Sequence, residues 1–327
     1  MKINGVFKWC AWMFFKNGNK TENQLKGLYA GIDELISQRR YLPYIRQRHN
    51  SVTSYQAGDI RSAFKGRGME LEEVRAYGYG DDVRDIDWRV TARKGDTYTK
   101  IFSEEKDREV YAVLDLSPYM LFGTRKELKS VSAAKIAALL GWQSLANKDR
   151  FGALLFNGKE TRVFKPQNNQ KGLMAVFKAI ETAGLDALSS AKKDNGNKIA
   201  ENKGLAEPLN FLQYNLKSRA MIFIISDFNN IDDEAKKVLA ALSRNSRVYC
   251  INVYDLIEEI APEKGEYLAQ YDGEKLIFNT SPQNFRETYA KYFATQRKEM
   301  ENFCKRFDCY FLNIRTDRPL YKQLKIL

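Results

Sequence analysis

Short apolar runs alternate with amphipathic stretches along the last two-thirds of the chain. Almost continuous apolar runs, typical of strands buried on both faces of a parallel sheet, cover residues 110–114, 151–156, 221–225 and 248–253. Apolar residues at helical spacing occur at 126–147, 171–183, 205–216, 233–242 and 283–307, and an edge strand is predicted at 309–312. This alternation predicts an α/β domain, a Rossmann-like mainly parallel sheet with helices on both faces.

The first third of the chain has a different pattern. Within residues 21–48, apolar side chains at helical spacing predict one amphipathic helix that ends before Pro43 and lies outside the core domain. From residue 54 onward, glycines separate short aromatic and β-branched runs, which predicts a small β-rich unit. We therefore expect three parts: an N-terminal basic helical segment, a β-rich appendage and the α/β domain, at 1–53, 54–107 and 108–327.

Composition and charge narrow the class of protein. Hydrophobic residues make up 44% of the chain and charged residues 29%, which excludes wholesale disorder and a polytopic membrane protein. The net charge is +12, and residues 1–50, with nine basic and three acidic residues, carry half of that excess. Such a basic arm suits an anionic membrane surface, nucleic acid or an acidic protein face, or it is a solvated segment that aids solubility.

Few residues are available for nucleophilic or zinc chemistry. Four cysteines are sparse for 327 residues, which indicates a reducing, cytoplasmic compartment. The basic arm allows peripheral contact with the inner membrane as well. The single histidine, His49, argues against a Ser–His or Cys–His pair. We therefore expect no enzyme activity and no zinc site.

Oxygen-bearing side chains directly follow two of the predicted strands. Asp115 and Ser117 follow the run at 110–114, and Asp227 follows the run at 221–225. In an open parallel sheet, the carboxyl ends of the strands border the ligand crevice. Because carboxylate and hydroxyl oxygens suit Mg²⁺, we predict a metal site formed by Asp115, Ser117 and Asp227.

Residues 64–70, 74–75 and 79–93 read FKGRGME, VR and YGDDVRDIDWRVTAR. These three stretches resemble the signature of a known bacterial family, domain of unknown function number fifty-eight. The likeness spans about residues 55–320 and continues through Glu104-Glu105, Asp115-Leu116-Ser117, Phe122-Gly123-Thr124, Asp149-Arg150-Phe151-Gly152 and Ser226-Asp227-Phe228. The resemblance implies a von Willebrand factor A-like fold, an operon partner among MoxR-type AAA+ ATPases, and an adaptor role without a shared catalytic reaction.

The resemblance also implies a metal-ion-dependent adhesion site, which matches this chain incompletely. The family motif reads Asp-x-Ser-x-Ser on the first loop, with a threonine on the second loop and an aspartate on the third. Asp115, Ser117 and Asp227 match it. Tyr119 stands at the second serine, and the second loop, residues 203–205, has no threonine. The site is therefore degenerate, and we expect it to hold Mg²⁺ weakly or not at all.

An acidic cluster in the signature allows two interpretations. Asp81, Asp82, Asp85 and Asp87 could hold a metal for hydrolysis, or they could form turn caps and ion pairs with interleaved arginines. The second interpretation is favoured, because four nearby arginines neutralise the charge that a metal needs.

Together these features predict a non-catalytic protein-interaction adaptor that works with a MoxR-type AAA+ ATPase in the assembly or maturation of a client complex, through the degenerate site. One alternative is binding of an anionic membrane, or of nucleic acid, through residues 1–50, with nucleic acid the less favoured. The other is a metal-dependent hydrolase that uses Asp115, Asp227 and the cluster at 81–87.

Overall fold

The computed structural model describes residues 27–46, 69–104, 108–193, 204–216, 220–229, 231–271 and 274–324. The chain divides into two compact units, a small unit (Thr53–Asp107) and a large unit (Met1–Val52 with Arg108–Leu327). The predictions for residues 1–26, and the part of the signature at 64–68, lie outside the described residues.

The N-terminal part of the large unit contains α1 (Ile32–Ser37), a 3-10 turn (Gln38–Tyr41) and α2 (Leu42–Arg46). The sequence pattern predicts one longer helix here, and the structure has two short ones. Pro43 lies in the first turn of α2, where its missing N–H leaves no hydrogen bond unmade. Leu35 is fully buried, and Trp142 Nε1 donates to its carbonyl oxygen at 3.2 Å. This segment is therefore part of the core of the large unit and does not lie outside it.

The described part of the small unit is a hairpin with a helix in its connection. Its elements are β1 (Met69–Ala76), a 3-10 turn (Val83–Asp85), α3 (Trp88–Lys94) and β2 (Tyr98–Glu104), with β1 and β2 antiparallel. Gly95 ends α3 with a φ of 83°, a left-handed conformation that favours glycine.

A six-stranded sheet forms the centre of the large unit. The elements after residue 108 are β3 (Glu109–Asp115), α4 (Lys129–Ala146), β4 (Arg150–Phe156), β5 (Thr161–Gln167), α5 (Gln170–Lys193), α6 (Ala206–Asn215), β6 (Ala220–Ser226), α7 (Asp233–Leu242), β7 (Arg247–Tyr254), β8 (Glu266–Tyr271), β9 (Glu274–Asn279), α8 (Gln283–Arg306), β10 (Tyr310–Arg315) and α9 (Leu320–Gln323). The strand order is β10-β7-β6-β3-β4-β5, and only β5 is antiparallel to its neighbour. Strands β8 and β9 form a separate antiparallel hairpin.

Helices cover both faces of this sheet. Successive side chains of a strand point to opposite faces. In β3, Ala112 and Leu114 join an apolar cluster with α4 and α5, whereas Tyr111 and Val113 join a cluster with α6, α7 and α8. The prediction of a doubly wound, mainly parallel sheet is therefore confirmed.

The chain reverses its direction of winding at the centre of the sheet. From β3 it continues through α4 to β4 on one side, and from β6 it continues through α7 to β7 on the other. Ligand sites in such sheets lie outside the carboxyl ends of the two strands that meet at this switch point. Here those strands are β3 and β6, which are hydrogen-bonded neighbours.

Candidate functional site

Acidic residues stand at the carboxyl ends of three neighbouring strands. Asp115 ends β3, Asp227 follows β6 and Asp255 follows β7. The three strands are adjacent and parallel, so these residues lie along one edge, called here the sheet edge. All three are buried, and buried carboxylates need hydrogen bonds or opposite charges to be stable.

Asp115 is held by neighbouring serines. The Ser226 hydroxyl donates to Asp115 Oδ2 at 2.6 Å, and the backbone N–H of Ser117 donates to Oδ1 at 2.9 Å. Ser226 Oγ in turn accepts from the backbone N–H of Phe228 at 3.2 Å. Burial, followed by the charge of Asp227, raises the pKa of Asp115, and the hydrogen bonds from Ser226 and Ser117 oppose that rise. Asp115 therefore holds its proton more tightly than an exposed aspartate does.

A lysine ammonium lies between Asp227 and a fourth acid, Glu258. Lys129 Nζ is 2.7 Å from Asp227 Oδ2 and 3.0 Å from Glu258 Oε1, and the lysine side chain is only 3% exposed. Burial favours the neutral amine, but the two carboxylates outweigh it and raise the pKa of Lys129 above its ordinary value. Asn229 Nδ2 donates to the same two carboxylates, at 3.0 and 3.3 Å. The lysine is therefore a permanent positive charge inside the sheet edge.

The loop before α4 sets the position of this lysine. Lys129 is the first residue of α4, and its backbone N–H donates to Phe122 at 2.7 Å. A Cβ added at Gly123 would lie 2.3 Å from the Glu127 carbonyl oxygen, so this tight turn requires glycine. A positive charge at a helix N-terminus is opposed by the helix dipole. The carboxylates of the sheet edge are therefore what stabilises the charge there.

Asp255 ties three parts of the chain together. Its carboxylate accepts from the backbone N–H and the hydroxyl of Thr124, the former at 2.9 Å, and from the Thr316 hydroxyl at 3.0 Å. It also accepts from the backbone N–H of Ile257, while the backbone N–H of Asp255 donates to Glu258 Oε2 at 2.8 Å. This reciprocal capping fixes Glu258 where it faces Lys129.

The structure brings the predicted metal ligands to one place, but with an ammonium among them. Asp115, Ser117 and Asp227 all lie at the sheet edge, and Asp227 is ion-paired to Lys129. Leu205, in the loop where the family motif has threonine, is buried in the apolar cluster at the start of α6. Within the described ranges, no group of three or more acidic, histidine or cysteine side chains is arranged to hold a metal. As it stands, this donor set does not fit Mg²⁺, and the metal site stays a prediction.

Sequence reasoning missed three members of the sheet edge: Lys129, Asp255 and Glu258. Asp255 could have been found, because it follows the apolar run at 248–253 just as Asp115 follows its own strand. Nothing in the sequence indicates that Lys129 is buried, since a lysine near the start of an amphipathic helix is typically exposed to solvent. Only the tertiary structure shows that it is buried.

The acids of the signature serve local structure in the small unit. Asp81 is 2.7 Å from Arg75 Nη2 and accepts from the backbone N–H of Gly78 at 2.8 Å. Asp82 caps the 3-10 turn. Asp87 caps α3 by accepting from the backbone N–H groups of Arg89 and Val90. The hydrogen bond from Val90, followed by the one from Arg89 and the charge of Lys100, lowers the pKa of Asp87 despite partial desolvation. These contacts are the turn caps and ion pairs of the favoured interpretation.

Comparisons with known proteins place the chain in a family. The model of the family described as "Protein of unknown function DUF58" matches residues 73–299. Uncharacterized protein Rv1480 of Mycobacterium tuberculosis and Uncharacterized protein Mb1516 of Mycobacterium bovis are each 27% identical to this chain over 264 residues, which is 80% of this chain and 79% of the relative.

Two solved structures are similar at low identity. BatB from Bacteroides thetaiotaomicron is 17% identical, with a TM-score of 0.39 over 66% of this chain and 93% of that protein. The SpRpn10 VWA domain is 11% identical, with a TM-score of 0.31 over 67% of this chain and 94% of that domain. The family match covers more than half of the chain. The chain belongs to the DUF58 family.

Proposed function

We propose that this chain is a non-catalytic adaptor that binds a MoxR-type AAA+ ATPase and a client protein during assembly or maturation of a client complex. A von Willebrand A-like fold in the DUF58 family supports an interaction domain. The observation that carries the proposal is that the ionisable groups of the sheet edge are buried and held by ion pairs and hydrogen bonds within the protein. Lys129 pairs with Asp227 and Glu258, and Asp115 is bonded to Ser226. A general acid or base must reach a substrate proton, so the burial and internal bonding of these groups support a non-catalytic role.

Three acids of the signature have local structural roles, which also supports a non-catalytic protein. Asp81 is engaged with Arg75, and Asp82 and Asp87 cap the turn and the helix that follow them. These roles favour an adaptor over a metal-dependent hydrolase.

An exposed face of α3 supplies a surface for the ATPase. Trp88 is 68% exposed, and Arg84, Arg89 and Arg93 are exposed beside it in the sequence. The Asp87 carboxylate accepts hydrogen bonds from the backbone of α3, so the exposed charged side chains of this helix are the basic ones, Arg89, Arg93 and Lys94. Tryptophan and arginine are enriched among the residues that dominate binding energy at interfaces. The complementary partner is an acidic protein face, and we assign it to the ATPase.

Binding of the purified ATPase from the same cell tests this proposal. Trp88→Ala and Arg89→Ala should each weaken binding by about tenfold, the effect of losing about 1.4 kcal/mol at an interface. Tyr214→Ala is the matched control, because Tyr214 is an aromatic residue of α6 that is 84% exposed. Absence of ATPase binding, or equal weakening by the control, contradicts the proposal.

The location that we propose is cytoplasmic, with peripheral contact at the inner membrane through the basic arm. Within the described residues, no helix has both the length and the apolar character that a membrane span requires. Deleting residues 1–50 would also remove Leu35 from the core, so deletion of residues 1–26 is the cleaner test. If the arm binds anionic lipid, this deletion should weaken binding to phosphatidylserine vesicles most at low salt. Unchanged vesicle binding would assign the charge to solubility.

A further inference from the structure

We propose that Lys129 is a built-in cation that takes the place of a divalent ion at the sheet edge, so that this edge is folded and functional without metal. The proposal goes beyond the adaptor function, because it concerns how the edge is held together. It would stand even if the partner were a different protein.

The position of the ammonium supports this assignment. The switch point between β3 and β6 is where an open α/β sheet binds its ligand, and Asp115 and Asp227 stand at the ends of those two strands. Lys129 Nζ approaches Asp227 to 2.7 Å and Glu258 to 3.0 Å, which are distances of charged hydrogen bonds. The positive charge that such a crevice would otherwise take from solution is supplied by the chain itself.

The carboxylate oxygens of Asp115, Asp227 and Glu258 already have protein donors. Asp115 Oδ1 and Oδ2 accept from Ser117 and Ser226. The other four oxygens are satisfied in the same way: Asp227 Oδ1 by the backbone N–H of Asn229, Asp227 Oδ2 by Lys129, Glu258 Oε1 by Lys129, and Glu258 Oε2 by the backbone N–H of Asp255. A hydrated Mg²⁺ would therefore meet oxygens that already accept hydrogen bonds from the protein, and it would have to compete with the ammonium for Asp227 Oδ2 and Glu258 Oε1.

Displacing Lys129 would also be unfavourable. Its side chain is 3% exposed, so an ion that took over Asp227 and Glu258 would leave a buried ammonium without a counter-charge. The tether adds to this preference, because an ammonium on the same chain has a high effective concentration at the site and a free ion does not.

One consequence concerns how a partner is recognised. A metal ion at the crevice could share its coordination shell with a carboxylate of the partner. A buried ammonium that already contacts two carboxylates cannot reach a partner in that way. Partner binding should therefore be insensitive to chelators, and recognition must use other surfaces.

The test compares the full-length chain with Lys129→Met. Mn²⁺ binding is measured by electron paramagnetic resonance, and the unfolding midpoint Tm is measured with Mg²⁺ or EDTA. The wild-type Tm should be the same in millimolar Mg²⁺ and in EDTA. Lys129→Met leaves Asp227 and Glu258 without a cation, so Mn²⁺ should bind at least about tenfold more tightly than to wild type and Mg²⁺ should raise Tm. The control, Lys129→Met with Asp227→Asn, should lose both gains.

Each outcome decides the proposal. Wild-type binding of Mn²⁺ that Asp227→Asn abolishes would overturn it, as would a folded Lys129→Met protein with no gain in Mn²⁺ affinity. If Lys129→Met folds only when Mn²⁺ or Mg²⁺ is present, the proposal is supported. If Lys129→Met fails to fold even when Mn²⁺ or Mg²⁺ is present, the wild-type measurements decide alone. In that case, no Mn²⁺ binding and a Tm independent of EDTA support the built-in cation.

Discussion

The ion pair of Lys129 with Asp227 and that of Arg75 with Asp81 have the same length, 2.7 Å, in very different surroundings. The lysine side chain is 3% exposed, whereas the arginine side chain is 39% exposed. Breaking a buried pair leaves an uncompensated charge and costs several kcal/mol, but an exposed pair contributes about 0–1 kcal/mol. Burial, and not the distance between the charges, decides what each pair contributes.

The comparison also separates two uses of aspartate. At the sheet edge, Asp115 and Asp227 lie at the ends of central strands and interact with residues far away in the sequence. In the small unit, Asp82 and Asp87 bond to backbone groups two or three residues later. The first kind holds the large unit together and the second shapes one turn.

The largest loss of stability is expected from Lys129→Met. Without the ammonium, Asp227 and Glu258 face each other buried and unpaired, so the free energy of unfolding should fall by about 3–5 kcal/mol in EDTA buffer. Urea denaturation of the purified chain measures it. The control is Lys178→Met, because Lys178 is also 2.7 Å from a carboxylate, that of Glu181, but its side chain is 68% exposed. Equal losses in the two variants would contradict the role given to burial.

Asp255→Ala should have the next largest effect. It leaves the hydroxyl of the buried Thr316, and the donors of Thr124, without their acceptor, so stability should fall by about 2–3 kcal/mol in the same urea assay. Asp255→Asn keeps one acceptor oxygen and should lose less. A loss no larger for alanine than for asparagine would show that these hydrogen bonds do not stabilise the edge.

The contributions of Asp115 and Asp87 to folding stability should change with pH in opposite directions. The pKa of Asp115 is raised in the folded state, so the folded chain binds more protons than the unfolded chain, and this residue's contribution to stability falls as pH rises above about 4. The pKa of Asp87 is lowered, so its contribution is present above about 4 and is lost as pH falls below that value. The measurement is Tm as a function of pH for wild type, Asp115→Asn and Asp87→Asn. Asp115→Asn should remove the fall in stability with rising pH, and Asp87→Asn should remove the fall in stability with acidification. Slopes of the same sign would be inconsistent with the assignment.

The smallest effect is expected from Asp87→Ala. The variant removes the side-chain acceptor for the backbone N–H groups of Arg89 and Val90, so these amides should exchange faster with deuterium. Amides of β3 should be unaffected. Asp87→Asn retains a capping oxygen and should protect both amides. Faster exchange throughout the chain would mean that the cap stabilises more than its own turn.

The sequence predicts the central strands well for a physical reason. Strands β3, β4, β6 and β7 are buried on both faces, so their apolar runs are nearly continuous and cannot be mistaken for loops. The hairpin of β8 and β9 has no such run, since its strands carry Glu266, Gln270, Glu274 and Lys275. It was not predicted.

The candidate site divides in the same way. Asp115 and Asp227 could be placed from the sequence, because a parallel sheet brings the ends of its strands to one edge. Lys129 could not be placed, because its burial depends on Glu258, a residue 129 positions later in the chain. Local sequence patterns therefore identify the carboxylates of the sheet edge, whereas the buried lysine is identified only by the tertiary structure.

The wide separation of these partners in sequence has a consequence for the order of folding. Ser226 and Asp115 are 111 residues apart, and Thr124 and Asp255 are 131 apart. Contacts of such high sequence separation carry a large loop-closure cost and tend to form after local helices and hairpins. During synthesis, α4 leaves the ribosome long before β7 and Glu258 exist, and its first residue is then an ordinary hydrated lysine. Substitutions at the sheet edge should therefore accelerate unfolding and leave the refolding rate nearly unchanged.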